Sequence, residues 1–344
     1  PYLLFTPLSG RLAVIFSKQK VYMYCKLCEF PIILLACIAL ITHSIFFCVF
    51  SVFLMGVQSC LSSPSKYGII KDIEGEEKIA YEKGMMEMMS FVGILSGTIL
   101  GTMLSELVSI WIICALMLLF TTISFITVYR LKIVEIPSEK PIFNTINPIR
   151  YMIESFRFAQ KYKGINDAVL GSSIFWMIAG MLQLNLVIHC RQTLELSNIG
   201  TGLCMSSAAV GIALGCVFAG KILRSDNAFR MINIGLLAMN IFLLLIIIFN
   251  PNVYVFSLLM FGVTFFGGIF EVPCLAIVQR APIGRIVGDM MAYLNFANFV
   301  LVLIGTAIFY AVSAFFNESS IAIFTSIEVI LFLSLIYFVF KFRK

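Results

Sequence analysis

Charge is scarce in this sequence. Asp, Glu, Lys and Arg make up 12% of the residues while 60% are hydrophobic, whereas an ordinary soluble domain is about a quarter charged. A water-facing surface cannot be built from so few charges, which excludes a soluble enzyme or a nucleic-acid-binding domain. Histidine is also rare: His43 and His189 are the only two, and neither belongs to a metal-ligand pattern. The ten cysteines include one lone C-x-x-C, Cys25 and Cys28, without a second ligand pair; nearly all the others lie in apolar segments, as packing residues do. No G-x-x-x-x-G-K-[ST] loop is present to hold ATP phosphates, no G-x-S-x-G elbow, and neither histidine is followed at five residues by the aspartate of a lipid acyltransferase. The expectation is a protein without catalytic residue, metal or cofactor.

Long apolar runs fill the space that charge leaves. Segments such as 232–249 and 321–340 carry at most one charge and are long enough to cross a hydrocarbon layer of about 30 Å as helices. Eleven spans are predicted, at 1–16, 21–41, 44–65, 84–105, 107–129, 168–190, 199–220, 230–250, 253–279, 286–314 and 319–340. When the connections are assigned alternately to two sides, all of the 24 Lys and Arg except Arg191 collect on one side. Because basic loops are retained in the cytoplasm, that side is cytoplasmic and the C-terminus lies there. The net charge of +6 is then an orientation signal. Eleven spans put Pro1 at the outer face inside an apolar segment, so a preceding helix, the first of twelve, is expected.

The longest polar connection, 131–166, divides the chain into an N-terminal helical half, 1–130, and a C-terminal half, 167–344. Within it, Ile149, Met152, Ile153, Phe156 and Ala159 recur at helical spacing, predicting a cytoplasmic helix that lies on the membrane surface. The halves echo each other: Met85-Met86 is followed by Phe91 at the same offset as Met290-Met291 by Phe296, and each pair follows a span containing a proline, Pro64 or Pro273. This points to a parallel internal repeat. Small residues at four-residue spacing, Gly93, Gly97 and Gly101 in one half and Gly211, Gly215 and Ala219 in the other, predict smooth faces. They serve either packing within a half or a close, sliding contact between halves.

Charges at membrane depth need a partner or a water-filled cavity. Lys66 closes the span containing Pro64, and Glu87 opens the next. They are candidates for substrate contact or gating, or for a structural ion pair. Glu271 and Asp289 hold comparable places in the second half, near Arg280 and Arg285. Glu29 has Lys26 as a local partner, and Glu328 stands alone in the last span.

The segments Ser63-Pro64-Ser65-Lys66-Tyr67-Gly68-Ile69, Gly84-Met85-Met86-Glu87, Ile94-Leu95-Ser96-Gly97-Thr98, Gly171-Ser172-Ser173-Ile174-Phe175-Trp176 and Gly267-Gly268-Ile269-Phe270-Glu271-Val272-Pro273 resemble the bacterial lysophospholipid transporters of the major facilitator superfamily. The resemblance runs over the whole chain, and S-P-x-K-Y-G is its most specific part. It implies a helical bundle of two halves that moves lysophospholipids, such as lysophosphatidylethanolamine, across the inner membrane for a cytoplasmic acyltransferase/acyl-carrier-protein synthetase. By the same resemblance Lys66, with Tyr67 beside it, serves the headgroup route. Two positions depart from the pattern: Gln183 stands where an arginine is expected, and Gly10-Arg11-Leu12-Ala13-Val14 keeps only part of the superfamily's loop signature, with Val14 in place of the acid. A facilitator for small hydrophobic solutes or drugs, and the membrane module of an acyltransferase, are the alternatives.

Overall fold

The computed structural model describes residues 1–74, 81, 84–86, 88–90, 92–94, 96–97, 101, 104, 108–131, 147–224, 226–283 and 286–341, leaving aside the side chains of 70–74, 198 and 199. Among these residues the regular structure is all helical. The helices are α1 (Tyr2–Ile15), α2 (Lys18–Thr42), α3 (Ile45–Glu74), α4 (Ile110–Arg130), α5 (Pro148–Ala159), α6 (Ile165–Ile188), α7 (Asn198–Ile222), α8 (Ala228–Phe249), α9 (Val253–Arg280), α10 (Val287–Phe315) and α11 (Ser320–Lys341). A π-turn, His189–Thr193, extends α6, and a further helical stretch runs from Gly84 to Ile94. Nine helices among the described residues are long and apolar enough to span a membrane. They match nine of the eleven predicted spans. The first predicted span is the 14-residue α1, and the span at 84–105 falls partly outside the described residues.

Helices prevail because a backbone in hydrocarbon must satisfy its own hydrogen bonds. Caps then set their limits. Ser17 accepts a hydrogen bond from the Lys20 amide at the start of α2, and Asn147 accepts from the Ile149 and Arg150 amides to open α5, with Pro148 at the first helical position. Every described non-glycine residue with positive φ, namely His43, Glu195, Asn250, Asn317 and Glu318, lies in a connection on the side that the basic residues avoid. With left-handed residues there, only two to four residues separate one helix from the next, producing tight antiparallel hairpins.

The chain forms two compact units. The first comprises Pro1–Glu77, Leu100–Asn166 and Val278–Phe296; the second comprises Lys78–Ile99, Asp167–Ile277 and Ala297–Lys344. Each thus includes a helix end from the other half of the sequence. In the first unit α3 packs on α1 and α2, and α4 on α2, around Ile33, Cys37 and Cys114 with Met55 and Met117 against them. In the second, α11 packs on α8. Cys60, Cys190, Cys204, Cys216 and Cys274 are buried as well, while Cys28 and Cys48 are exposed. Large apolar side chains, among them Trp111, Phe120, Leu258 and Leu333, face outward, as expected where lipid is the solvent.

Candidate functional site

In the first unit, the Ser63 to Ile69 segment of α3 is a junction. Ser63 Oγ accepts a hydrogen bond from Asn295 Nδ2 at 2.8 Å, and the Tyr67 carbonyl accepts one from Gln279 Nε2 at 3.4 Å. The Gly68 carbonyl accepts one from Lys18 Nζ at 3.2 Å. Lys18 is only 2% exposed. A Cβ on Gly68 would stand 3.1 Å from its Cδ and Cε, so the glycine makes room for the lysine stem. Lys66 is half-buried, with Nζ 5.6 Å from the centroid of the Tyr67 ring, a cation–π distance. Glu87, its expected partner, lies outside the described residues.

Asp289, in the first turn of α10, is 1% exposed. Tyr151 of α5 donates from Oη to its backbone oxygen at 2.9 Å and to Oδ1 at 3.3 Å. Asp289 is therefore engaged by a tyrosine; Arg285, one of the two arginines near it in the sequence, lies outside the described residues. Burial, and next the nearby carboxylate, push the Tyr151 hydroxyl well above its usual pKa; it remains a neutral donor throughout the physiological range. Gly10 of α1 completes the contact, since a Cβ there would meet Asp289 Oδ1 at 2.5 Å and Tyr151 Oη at 2.6 Å. Gly10→Ala is expected to cost about 1–3 kcal/mol through overpacking, read as a lowered Tm of the purified protein. Tyr151→Phe, which deletes the donor and adds no bulk, should cost about 1–3 kcal/mol.

In the second unit, Ser172 Oγ donates to Glu271 Oε1 at 2.7 Å, and Ser173 Oγ donates to Asn298 Oδ1 at 2.8 Å. Glu271 is 2% exposed. This cluster joins α6, α9 and α10. Gln183, by contrast, is exposed on α6 and takes no part in it. Glu29 pairs with Lys26 at 2.7 Å, as their spacing predicted. Glu328 is buried.

The glycine stripes are not brought together. Gly211 and Gly215 abut α9: a Cβ added to Gly211 would lie 2.5 Å from the Phe261 carbonyl oxygen, and one added to Gly215 would run into that of Phe265. Ala219 is fully buried. Gly93, Gly97 and Gly101 are exposed, and a Cβ on any of them would meet nothing within 4 Å. Close contact occurs elsewhere. A Cβ on Gly84 would reach the Cys216 carbonyl oxygen at 2.5 Å and Gly220 Cα at 3.3 Å, while one on Gly288 would reach Ala13 Cβ at 3.0 Å. Gly84 precedes Met85-Met86 and Gly288 lies one residue before Asp289-Met290-Met291, so the repeated Met-Met segments each begin at a helix crossing lined with small residues. Those crossings place each helix end in a compact unit with helices of the other sequence half.

A sequence profile of the Major Facilitator Superfamily matches residues 1–306. The chain belongs to the major facilitator superfamily. As a superfamily member it is a multi-pass membrane transporter and not an enzyme. It is 25% identical over 288 residues to the lysophospholipid transporter LplT of Photorhabdus laumondii, covering 81% of this chain and 68% of that protein. With LplT of Serratia proteamaculans it shares 27% identity over 292 residues, and with that of Escherichia coli O157:H7 24% over 286, with the same coverage of both chains. Among solved structures, the human organic anion transporter MFSD10 (TETRAN) superposes with a TM-score of 0.82 at 15% identity, over 98% of this chain and 80% of its own. The E. coli fucose:proton symporter FucP superposes with a TM-score of 0.72 at 10% identity, over 98% and 88%. These two likenesses establish the superfamily fold.

Several of the residues at these junctions were invisible to sequence reasoning. Lys18 reads as one more basic loop residue and Gly10 as a remnant of a loop signature. The only trace of Tyr151 as a contact is its four-residue spacing from Ser155 and Ala159.

Proposed function

We propose that this transporter carries lysophospholipids, such as lysophosphatidylethanolamine, across the bacterial inner membrane by alternating access. The observation that carries the reading is the similarity to lysophospholipid transporters over 81% of the chain. The chemistry agrees with it. A lysophospholipid pairs a charged head with one apolar tail, so its path needs few polar groups and much apolar wall; Lys66 beside the Tyr67 ring supplies a cation for the phosphate. Glu87 holds Lys66 when the site is empty, and Glu271, Asp289 and Gln183 serve the route or its gating. In the alternating cycle, the crossings at Gly84 and Gly288 are the contacts that must open, as the repeat halves 1–130 and 167–344 rock against each other. The basic side, with the C-terminus, faces the cytoplasm. A delivered lysolipid has a free hydroxyl where the second acyl chain belongs, so an acyltransferase/acyl-carrier-protein synthetase is the partner reaction.

The test is uptake into vesicles reconstituted with the protein. Lysophosphatidylethanolamine should enter well above protein-free vesicles, whereas an uncharged lipophilic solute should not. Equal transport of the two would replace this reading with a general facilitator of hydrophobic solutes.

A further inference from the structure

Helix α5 has one buried and two exposed faces. Tyr151, Ser155 and Ala159 are buried, at 1%, 0% and 0% exposure. Ile149, Ile153 and Phe156 stand out at 71%, 47% and 44%. At about 100° per residue the exposed apolar row is centred some 120° around the helix from the buried row. Arg150, Arg157 and, just beyond the last turn, Lys161 occupy the remaining third, all exposed. The one acid in α5, Glu154, is paired with Arg150 at 2.7 Å, so the row stays net basic.

The buried row fixes the height of the helix. Tyr151 is bonded to Asp289 in the first turn of a membrane-spanning helix, so α5 lies where α10 enters the bilayer. At that height a helix flanked by protein has two other neighbours, lipid and water. An apolar row and a basic row are what those two neighbours select: acyl chains and glycerol backbone for the first, anionic headgroups and water for the second.

We propose that α5 is a lipid-seated strap, with Ile149, Ile153 and Phe156 inserted into the leaflet on the basic side of the membrane, Arg150, Arg157 and Lys161 drawing anionic headgroups, and Tyr151 fastening the helix to α10. Anionic lipid then strengthens the seat and, through Tyr151 and Asp289, steadies the contact with Gly10 of α1. This inference is independent of which substrate is carried.

The test uses the full chain in vesicles with Trp111→Phe and Trp176→Phe, to which Ile153→Trp, Phe156→Trp or Arg157→Trp is added singly. Brominated phosphatidylcholine should quench the Ile153→Trp or Phe156→Trp protein several-fold more than the Arg157→Trp protein, and aqueous acrylamide should show the reverse order. Phosphatidylglycerol should deepen the lipid quenching at 153, and Arg150→Gln with Arg157→Gln should remove that dependence. Acrylamide quenching at 153 as strong as at 157 would overturn the proposal by placing the row in water. Shielding of both 153 and 156 from both quenchers would overturn it by showing a protein surface, such as a second copy, on the row. Lipid quenching indifferent to phosphatidylglycerol would overturn the anionic part. Phe156→Trp, a conservative aromatic exchange, keeps the test decisive if Ile153→Trp does not fold.

Discussion

Gly215→Val is expected to remove most of the folded protein from the membrane. A Cβ at this position would run into the carbonyl oxygen of Phe265 and stand 2.8 Å from the carbonyl carbon, so the obstacle is backbone and no side-chain rotation relieves it. On the other side of the crossing, a Cβ on Gly268 would stand 2.6 Å from the Cys216 amide nitrogen. The two glycines let α7 and α9 touch along their backbones, the arrangement from which helix pairs in lipid draw their packing energy. Overpacking ordinarily costs about 1–3 kcal/mol, and a clash that can be relieved only by parting two helices belongs at or above the upper end of that range. Tm and the yield of monodisperse protein in detergent would show the loss. Gly97→Ala is the matched control, because its Cβ meets nothing within 4 Å; its effect should stay within about 0.5 kcal/mol. If Gly97→Ala leaves Tm unchanged yet abolishes transport, the stripe at 93, 97 and 101 acts in the cycle.

Lys66→Ala should lower lysophosphatidylethanolamine uptake by about tenfold to a hundredfold, the equivalent of losing a charge-assisted hydrogen bond worth about 1.5–3 kcal/mol. The lysine stands half-buried near the end of the membrane-spanning part of α3. There, exchanging one anionic partner for another costs less than exposing a lone charge at low dielectric. Lys66→Arg keeps the charge with a different geometry and should retain part of the uptake. Glu87→Gln should leave some transport while weakening closure of the empty protein, since its proposed partner is Lys66 and not the substrate. Each variant is compared at matched reconstitution with uptake of an uncharged lipophilic solute. Unchanged lysolipid uptake in Lys66→Ala would end the headgroup assignment, and an equal loss for both solutes would make Lys66 a gating or structural residue.

The sequence by itself determined the class of the molecule and most of its helices. Hydrocarbon admits only apolar side chains and self-satisfied backbone, so runs such as 232–249 have one outcome, the helix α8 over Ala228–Phe249. Asn147-Pro148 is likewise a local signal, readable as the start of α5 without knowing what lies beside it. Partners distant in the chain were decided by the tertiary structure alone. Four-residue glycine spacing encodes a smooth face and says nothing of what meets it, and the face at Gly211 and Gly215 met α9 of its own half. Tyr151 found Asp289 at a separation of 138 residues. Lys18 carries the same orienting charge as any loop lysine, yet it is buried against Gly68. A positive charge tells the membrane on which side a loop stays; where its long stem then lies depends on space that a distant glycine leaves open.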